Sequence, residues 1–371
     1  MKKLIVLAVL VVMAFAVIGC KNPASSGTTN RPPVDEIPVD DGTGSGTEAD
    51  PFIVGSAASL AKVGSGTDGW GLNSHYLQKA NITLSGEWTS IGGTATSASN
   101  FTGTYDGAGF SINNMRITGS TVGFQGLFRA IGMTGVVRNV AMRNVDINLT
   151  VNNVGGIAGL NNGMIQNSYV SGSITGGNTV GGIAGNNFSN GSIQNCYTTC
   201  NVTGENNVGG IAGHNFGDTL SNGLIRVCYA TGNITGNDKV GGIIGENLGN
   251  VEYNVALNRK VASTTTEGAW RVAATYEGYL EDNFARSDMV VERDGSPRPP
   301  DEMNIGGWHR GGADATAAQT HGADSNTWWS IAIPDGPGFH TDDWSFAANR
   351  LPHLKTTEGE AFNQAQNPAV Q

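Results

Sequence analysis

Apolar residues in this chain alternate only over short runs, and the same runs return at nearly fixed spacing. VGGIAG begins at Val154, Val180 and Val208 and comes back as VGGIIG at Val240, giving periods of 26, 28 and 32 residues. A period in that range marks a stacked array of similar units rather than one closed globule. Ile165 to Ile174, Ile193 to Val202 and Ile225 to Ile234 are each nine residues apart. Ile174 to Val180, Val202 to Val208 and Ile234 to Val240 are each six apart. The drift in period falls at one place, where the pairs Gly159–Gly163, Gly185–Gly191, Gly213–Gly223 and Gly245–Gly249 enclose three, five, nine and three residues. Such a pattern describes a coil whose insertions leave from one edge.

Each apolar run is bounded by Gly, Asn or Ser-Gly, which predicts short strands and sharp turns. Gly-Gly inside every copy would cost a helix about 1 kcal/mol per Gly. Three short strands and three turns per period predict an all-β fold, one rung at a time, as a parallel β-helix (solenoid). Parallel crossovers are nearly always right-handed, so a right-handed β-helix is expected. Rungs ~4.8 Å apart then place Ile157, Ile183, Ile211 and Ile243 in one internal stack. Ile165, Ile193, Ile225 and Val251 form another. Asn161, Asn187, Asn215 and Asn247 follow the last Gly of each block by two residues. They are expected as a structural turn ladder, because Asn tolerates the left-handed conformation and its amide can bond to the next rung. One residue further stand Phe188, Phe216 and Leu248, with Asn162 in the first block. These three are the candidate binding ridge. Either they fold back over the corner, or Phe216, on the nine-residue loop, is exposed and meets a partner.

The rest of the chain divides around this array. Residues 1–20, MKKLIVLAVLVVMAFAVIGC, carry Lys2 and Lys3 before an apolar run that is short of the ~20 residues a spanning helix needs. An export signal is the expectation. Val17-Ile18-Gly19-Cys20 is similar to a bacterial lipobox, in which the Cys20 thiol takes a diacylglycerol. The chain is then expected in the bacterial cell envelope, lipid-anchored, at the outer membrane or cell surface. Residues 21–48 read as an acidic, Pro-rich disordered tether. Residues 49–290 read as the solenoid, with Val137 in the register of Ile165 and Leu280 and Phe284 matching Val251 and Val255. Residues 291–355 hold Trp308, Trp328, Trp329, Phe339, Trp344 and Phe346. They are expected as an aromatic-rich C-terminal cap that plugs the open end, or else as a separate binding module. Residues 356–371 read as a loose tail.

Composition sharpens this only in places. Charged residues are 14%, against about 25% in ordinary domains, which suits rungs whose like charges would otherwise repeat in register. A net charge of −10 and the lack of a basic stripe exclude nucleic acid as a partner. Four Cys, one assigned to lipid, leave three, so at least one cannot pair within the chain. Cys196 and Cys228 share the repeat position of Ser168, close enough for a disulfide but pointing parallel, so stacked free thiols are expected.

There is no His-Glu-x-x-His, and the six His are scattered. VGGIAG or VGGIIG is followed by Leu160, Asn186, His214 and Glu246 rather than by a calcium-binding Asp. Between Val154 and Asn250 the acids are Glu205, Asp218, Asp238 and Glu246, which share no register. Asp106 reads as a turn residue. No catalytic residue, metal or cofactor is expected.

VGGIAGNNFSNGSIQNCYTTCNVTG (Val180–Gly204) resembles the GLUG repeat family nearly throughout. ADPFIVGSAASL (Ala49–Leu60) and FTGTYDGAGFSI (Phe101–Ile112) are similar to segments that open such domains. The resemblance covers about residues 49–290. The family occurs on bacterial surface proteins, including the non-catalytic part of immunoglobulin-A-cleaving metallopeptidases. It implies a surface scaffold, often linked with adhesion to a host or envelope protein or glycan, without activity in the repeats. The alternative is a carbohydrate-active β-helix enzyme, a polysaccharide lyase or hydrolase, which would need convergent carboxylates in a shared cleft.

Overall fold

The computed structural model describes residues 41–93, 97–217, 223–266, 268–275, 277–298, 309–316, 319–320, 325–330, 336–346 and 351–355. Cys20 and its leader, Trp308 and the tail 356–371 lie outside the described residues. The architecture is a parallel β-helix. Its longest face is a nine-stranded sheet, from Phe52–Val54 to Tyr279–Glu281, in which every neighbouring pair is parallel. One inward column runs its whole length: Phe52, Tyr76, Tyr105, Val137, Ile165, Ile193, Ile225, Val251 and Leu280 are successive register partners. Ile157, Ile183, Ile211 and Ile243 form a second column, each fully buried and linked by N–H to carbonyl bonds of 2.8–2.9 Å. Val255 pairs with Phe284, as the spacing predicts.

A rung holds more strands than the expected three. Between Val180 and Thr203 the chain makes five: Val180–Gly181, Ala184–Asn187, Ser192–Gln194, Tyr197–Thr198 and Asn201–Thr203. Gly182 breaks the first pair apart, because rungs nearly touch there. A Cβ on Gly182 would lie 2.2 Å from the Gly210 carbonyl oxygen. The left-handed corners also fall elsewhere than expected. They occupy Asn139, Asn167, Asn195, Val227, Tyr253 and Asp282, two residues past the inward column, with φ between 44° and 59°. A second set, Asn153, Thr179, Asn207 and Lys239, precedes each VGG. The ladder residues Asn161, Asn187, Asn215 and Asn247 instead end extended strands and are fully buried. An amide pointing inward from a strand can reach the next rung without any unusual φ.

The two ends are closed differently. At the N-terminal end the core turns aromatic. Phe52 stacks on Trp70 at 4.6 Å and Phe101 packs on Phe128 at 4.7 Å, under a short helix Ala57–Lys62 with a Ser56/Ser59 capping box. The folded body begins before residue 49, since the Asp41 carboxylate accepts from Gly55 N at 2.7 Å and Ser56 Oγ at 2.6 Å. At the C-terminal end the last rung carries Trp270, whose ring has the Arg293 and Arg310 guanidinium carbons 4.0 and 3.7 Å from its centroid. Arg271 is buried beside it and donates to the Gly311 and Gly312 carbonyls, both at 2.8 Å.

The aromatic C-terminal segment caps a flank. Trp328, Trp329, Phe339, Trp344, Leu351 and Leu354 form one cluster with Tyr169, Tyr197, Tyr229, Val255 and Phe284. The three tyrosines occupy successive rungs, their rings stacked at 4.8 Å and nearly parallel. Asn195 Nδ2 donates to Asp343 Oδ2 at 2.9 Å and Tyr229 OH to the Pro352 carbonyl at 2.8 Å, so the segment is pinned well back along the array. Burying this row of outward aromatics removes apolar surface from water, which favours the segment's place along the side.

Candidate functional site

The corner that absorbs the length variation is built by rung-to-rung bonds from below. Asn161 Nδ2 donates to Asn187 Oδ1 at 2.8 Å, Asn187 to Asn215 at 2.8 Å and Asn215 to Asn247 at 2.9 Å. Each amide spends its second lone pair or proton locally, as where Asn187 Nδ2 also reaches the Gly191 carbonyl at 3.0 Å. A buried amide left unpaired would cost about 1–3 kcal/mol, so this ladder holds the corner in register.

The next residue in each rung comes outward. Phe188, Phe216 and Leu248 donate their backbone N–H to the carbonyls of Asn161, Asn187 and Asn215 at 2.7–2.8 Å. Their side chains therefore rise one above another. Phe188 is 37% exposed, while Phe216 and Leu248 are half-buried. The Phe188 and Phe216 rings stack with centroids 4.5 Å apart and 20° between planes. Neither expected extreme is met: the ridge is partly open, and stacking has taken up part of its apolar surface.

Beside the ridge runs a polar column. Leu160, Asn186, His214 and Glu246 are successive register partners. The His214 ring meets Phe216 edge-on at 6.0 Å, and His214 Nε2 lies 3.9 Å from Glu246 Oε2. Glu246 also pairs with Lys239 and accepts from Asn207 Nδ2 at 2.9 Å. Burial lowers the His214 pKa, Glu246 opposes that and Lys239 adds to it. The imidazolium form is thereby disfavoured, with the ring set between Phe216 and the Glu246–Lys239 pair.

A second ladder crosses the rung interior. Ser168 Oγ donates to the Gln166 carbonyl at 2.8 Å; Cys196 and Cys228 Sγ occupy the same place at 3.1 and 3.2 Å from Gln194 and Arg226. Asn254 and Asn283 continue it, joined at 3.0 Å. Cys196, Cys200 and Cys228 are free and buried. Asp106 holds a turn, accepting from Ala108 N at 2.9 Å and pairing with Arg138 at 2.8 Å. The tyrosine ladder was missed by the sequence reading, although Ser168-Tyr169, Cys196-Tyr197 and Cys228-Tyr229 repeat visibly. Among the described residues no group of three or more His, Cys, Asp or Glu is placed to hold a metal ion. None of their helices is long and apolar enough to cross a membrane.

These features are those of a GLUG-repeat β-helix, and the chain carries the GLUG motif at residues 204–235. Halomucin from Haloquadratum walsbyi is 30% identical over 153 residues, 38% of this chain, which spans only 2% of halomucin's length. The crystal structure of a Bacteroides ovatus protein named as a candidate immunoglobulin A1 protease superposes with a TM-score of 0.66. It is 19% identical, over 86% of this chain and 96% of that one. That likeness is one of fold. Together the comparisons fit a β-helix protein that carries the GLUG motif.

Proposed function

We propose that this chain is a lipid-anchored scaffold of the cell surface, held through Cys20, that presents the Phe188–Phe216–Leu248 ridge to a protein or glycan partner and has no catalytic activity. The observation that carries the reading is the stacked Phe188–Phe216 pair, left open on a molecule that covers its other aromatic row. Singly exposed apolar residues are ordinary, but an aromatic pair aligned across rungs offers a partner a preformed, rigid contact. The GLUG motif and the lipobox-like Val17–Cys20 support placement at the surface. Two experiments test it. Cys20→Ser should move the protein from the detergent phase to the aqueous phase, and unchanged partitioning rejects the anchor. Cells displaying the Phe188→Ala/Phe216→Ala chain should adhere less to immobilised host matrix than cells displaying the native chain. Equal adhesion at equal display removes the ridge from the proposal.

One observation favours the enzymatic alternative. Glu252 and Glu281 are register partners on the outside of the long face, and Tyr253 OH donates to Glu281 at 3.1 Å. Burial raises the Glu252 carboxyl pKa, Arg226 offsets part of this and Glu281 adds to it. Two carboxylates in unlike environments are the minimum for acid–base work on a sugar. Release of reducing ends from polygalacturonate, lost in Glu252→Gln, would support this reading; an inert native chain removes it.

A further inference from the structure

Away from the ridge, three open hollows lie side by side on the N-terminal rungs. The first, about 320 Å³, is walled by Glu87–Ser90 and Arg129. The second, about 360 Å³, shares Glu87–Ser90 and reaches Gly64 and Ser65. The third, about 500 Å³, continues from Gly64 and Ser65 to Asn73 and Asn100. The three adjoin along these shared walls as one cleft region, and each has the size of a small-molecule site.

Trp88 stands in the wall common to the first two hollows. It is half-buried, and its indole N–H donates to the Leu127 carbonyl at 3.2 Å. The ring is thereby fixed and its polar edge used, so ring surface is what it offers the cleft. Charge around it cancels. Glu87 accepts from Thr118 N and Oγ1 at 2.8 and 2.7 Å and lies 3.5 Å from Arg116, which faces Asp146 at 3.6 Å. Arg129 Nη1 donates to the Gly123 carbonyl at 3.2 Å, while its buried Nε has no hydrogen-bond partner. Two carboxylates and two guanidinium groups leave no net charge to select an anion. An apolar ligand would leave the amides of Asn73 and Asn100, which line the third hollow, without partners, while Arg129 lines the first.

We propose that this cleft binds an uncharged oligosaccharide, one sugar stacked on Trp88 and its neighbours hydrogen-bonded toward Arg129 at one end and Asn73 and Asn100 at the other. Sugar rings offer both things the cleft can use: C–H faces for an aromatic plane, and hydroxyls that donate and accept. The site is distinct from the Phe188–Phe216 ridge, so either can fail alone.

The test applies the full chain to an array of neutral, sialylated and sulfated glycans, with affinities for the neutral hits measured by calorimetry. Neutral glycans should bind, Trp88→Ala should weaken them about tenfold or more, and Phe216→Ala should leave them unchanged. If Trp88→Ala lowers the melting temperature, Arg129→Gln and Asn100→Ala, which keep the ring, carry the test, each with a loss of about threefold or more. No neutral glycan bound, binding only to charged glycans, or unchanged affinity in these variants would overturn the proposal.

Discussion

Two aromatic ladders climb this solenoid one rung at a time, and only one is covered. On the flank of Tyr169, Tyr197 and Tyr229, the C-terminal segment lays Trp329, Phe339 and Trp344 over the rings, leaving Tyr197 1% and Tyr229 0% exposed. On another corner Phe188 stacks on Phe216 at 4.5 Å, with Phe188 37% exposed and Phe216 half-buried. Tyrosine is the residue better suited to an open surface, since its hydroxyl can meet water, yet here the tyrosines are shut in and the phenylalanines stand open. Stability alone favours the reverse. The difference teaches that a ladder by itself is a by-product of in-register repeats, and that cover, or its absence, separates a structural row from one available to a partner.

The covered flank should be the costlier to break. Trp344 is fully buried against Phe339, Tyr229 and Tyr197, with ring centroids 4.9, 5.8 and 6.2 Å away. Trp344→Ala is expected to destabilise the protein by about 3–5 kcal/mol in denaturant titration. A change below about 1 kcal/mol would mean the segment rests on the flank without closing it. Alkali probes the same flank without mutation. Burial raises the pKa of Tyr197 and Tyr229 well above the usual value of 10. The folded state then holds protons that the unfolded chain releases, so the contribution of these two groups is intact below pH 10 and falls as pH rises above it. Two such groups give a slope of about 3 kcal/mol per pH unit. A flat melting midpoint between pH 9.5 and 11 would show the tyrosines reachable by hydroxide.

How much of this was legible in the sequence depends on which way a residue points. Inward columns were readable, because Ile165, Ile193, Ile225 and Val251 repeat one chemical demand at one spacing, and the register agrees. The number of strands per rung was not, since it depends on where backbones crowd at Gly182 rather than on apolar period. Left-handed corners were half legible. Asn139, Asn167 and Asn195 signal them, but Val227 occupies the same corner at φ 54°, where a β-branched residue costs about 1–2 kcal/mol. At the candidate site the line Phe188, Phe216 and Leu248 and the column Asn186, His214 and Glu246 were both visible from the repeat, whereas the contacts of His214 with Phe216 and Glu246 were not. The flank cover was illegible for a different reason. Asn195 and Asp343 are 148 residues apart, and no local pattern encodes so distant a contact.

The open ridge should respond in the opposite sense to the flank: little stability, much binding. Phe188→Ala removes a ring that is already 37% exposed and that stacks on Phe216. The expected destabilisation is about 1 kcal/mol or less. A loss comparable to that of Trp344→Ala would mean Phe188 seals the corner, and the contrast between the two ladders would collapse.

The smallest effect expected is the most specific to the ridge. His214 touches Phe216 edge-on and lies near Glu246, yet burial lowers its pKa despite that carboxylate. The folded state therefore disfavours the imidazolium. Below the ordinary histidine value of 6.5 the unfolded chain takes up a proton that the folded chain resists, so stability falls as pH drops from 6.5 toward the lowered value. Above 6.5 the residue contributes no slope. Carboxylates elsewhere also titrate in acid, so the informative quantity is a difference. Between pH 7 and pH 5 the native chain should lose slightly more melting temperature than His214→Gln, which keeps a polar side chain but cannot titrate. Identical pH profiles would mean that the imidazole is as free to protonate in the rung as in the unfolded chain. A steeper loss in His214→Gln would reverse the sign, making Glu246 rather than burial the stronger influence. In the expected case the difference between the two chains reports the burial of His214 beside the ridge, apart from every other group that titrates in acid.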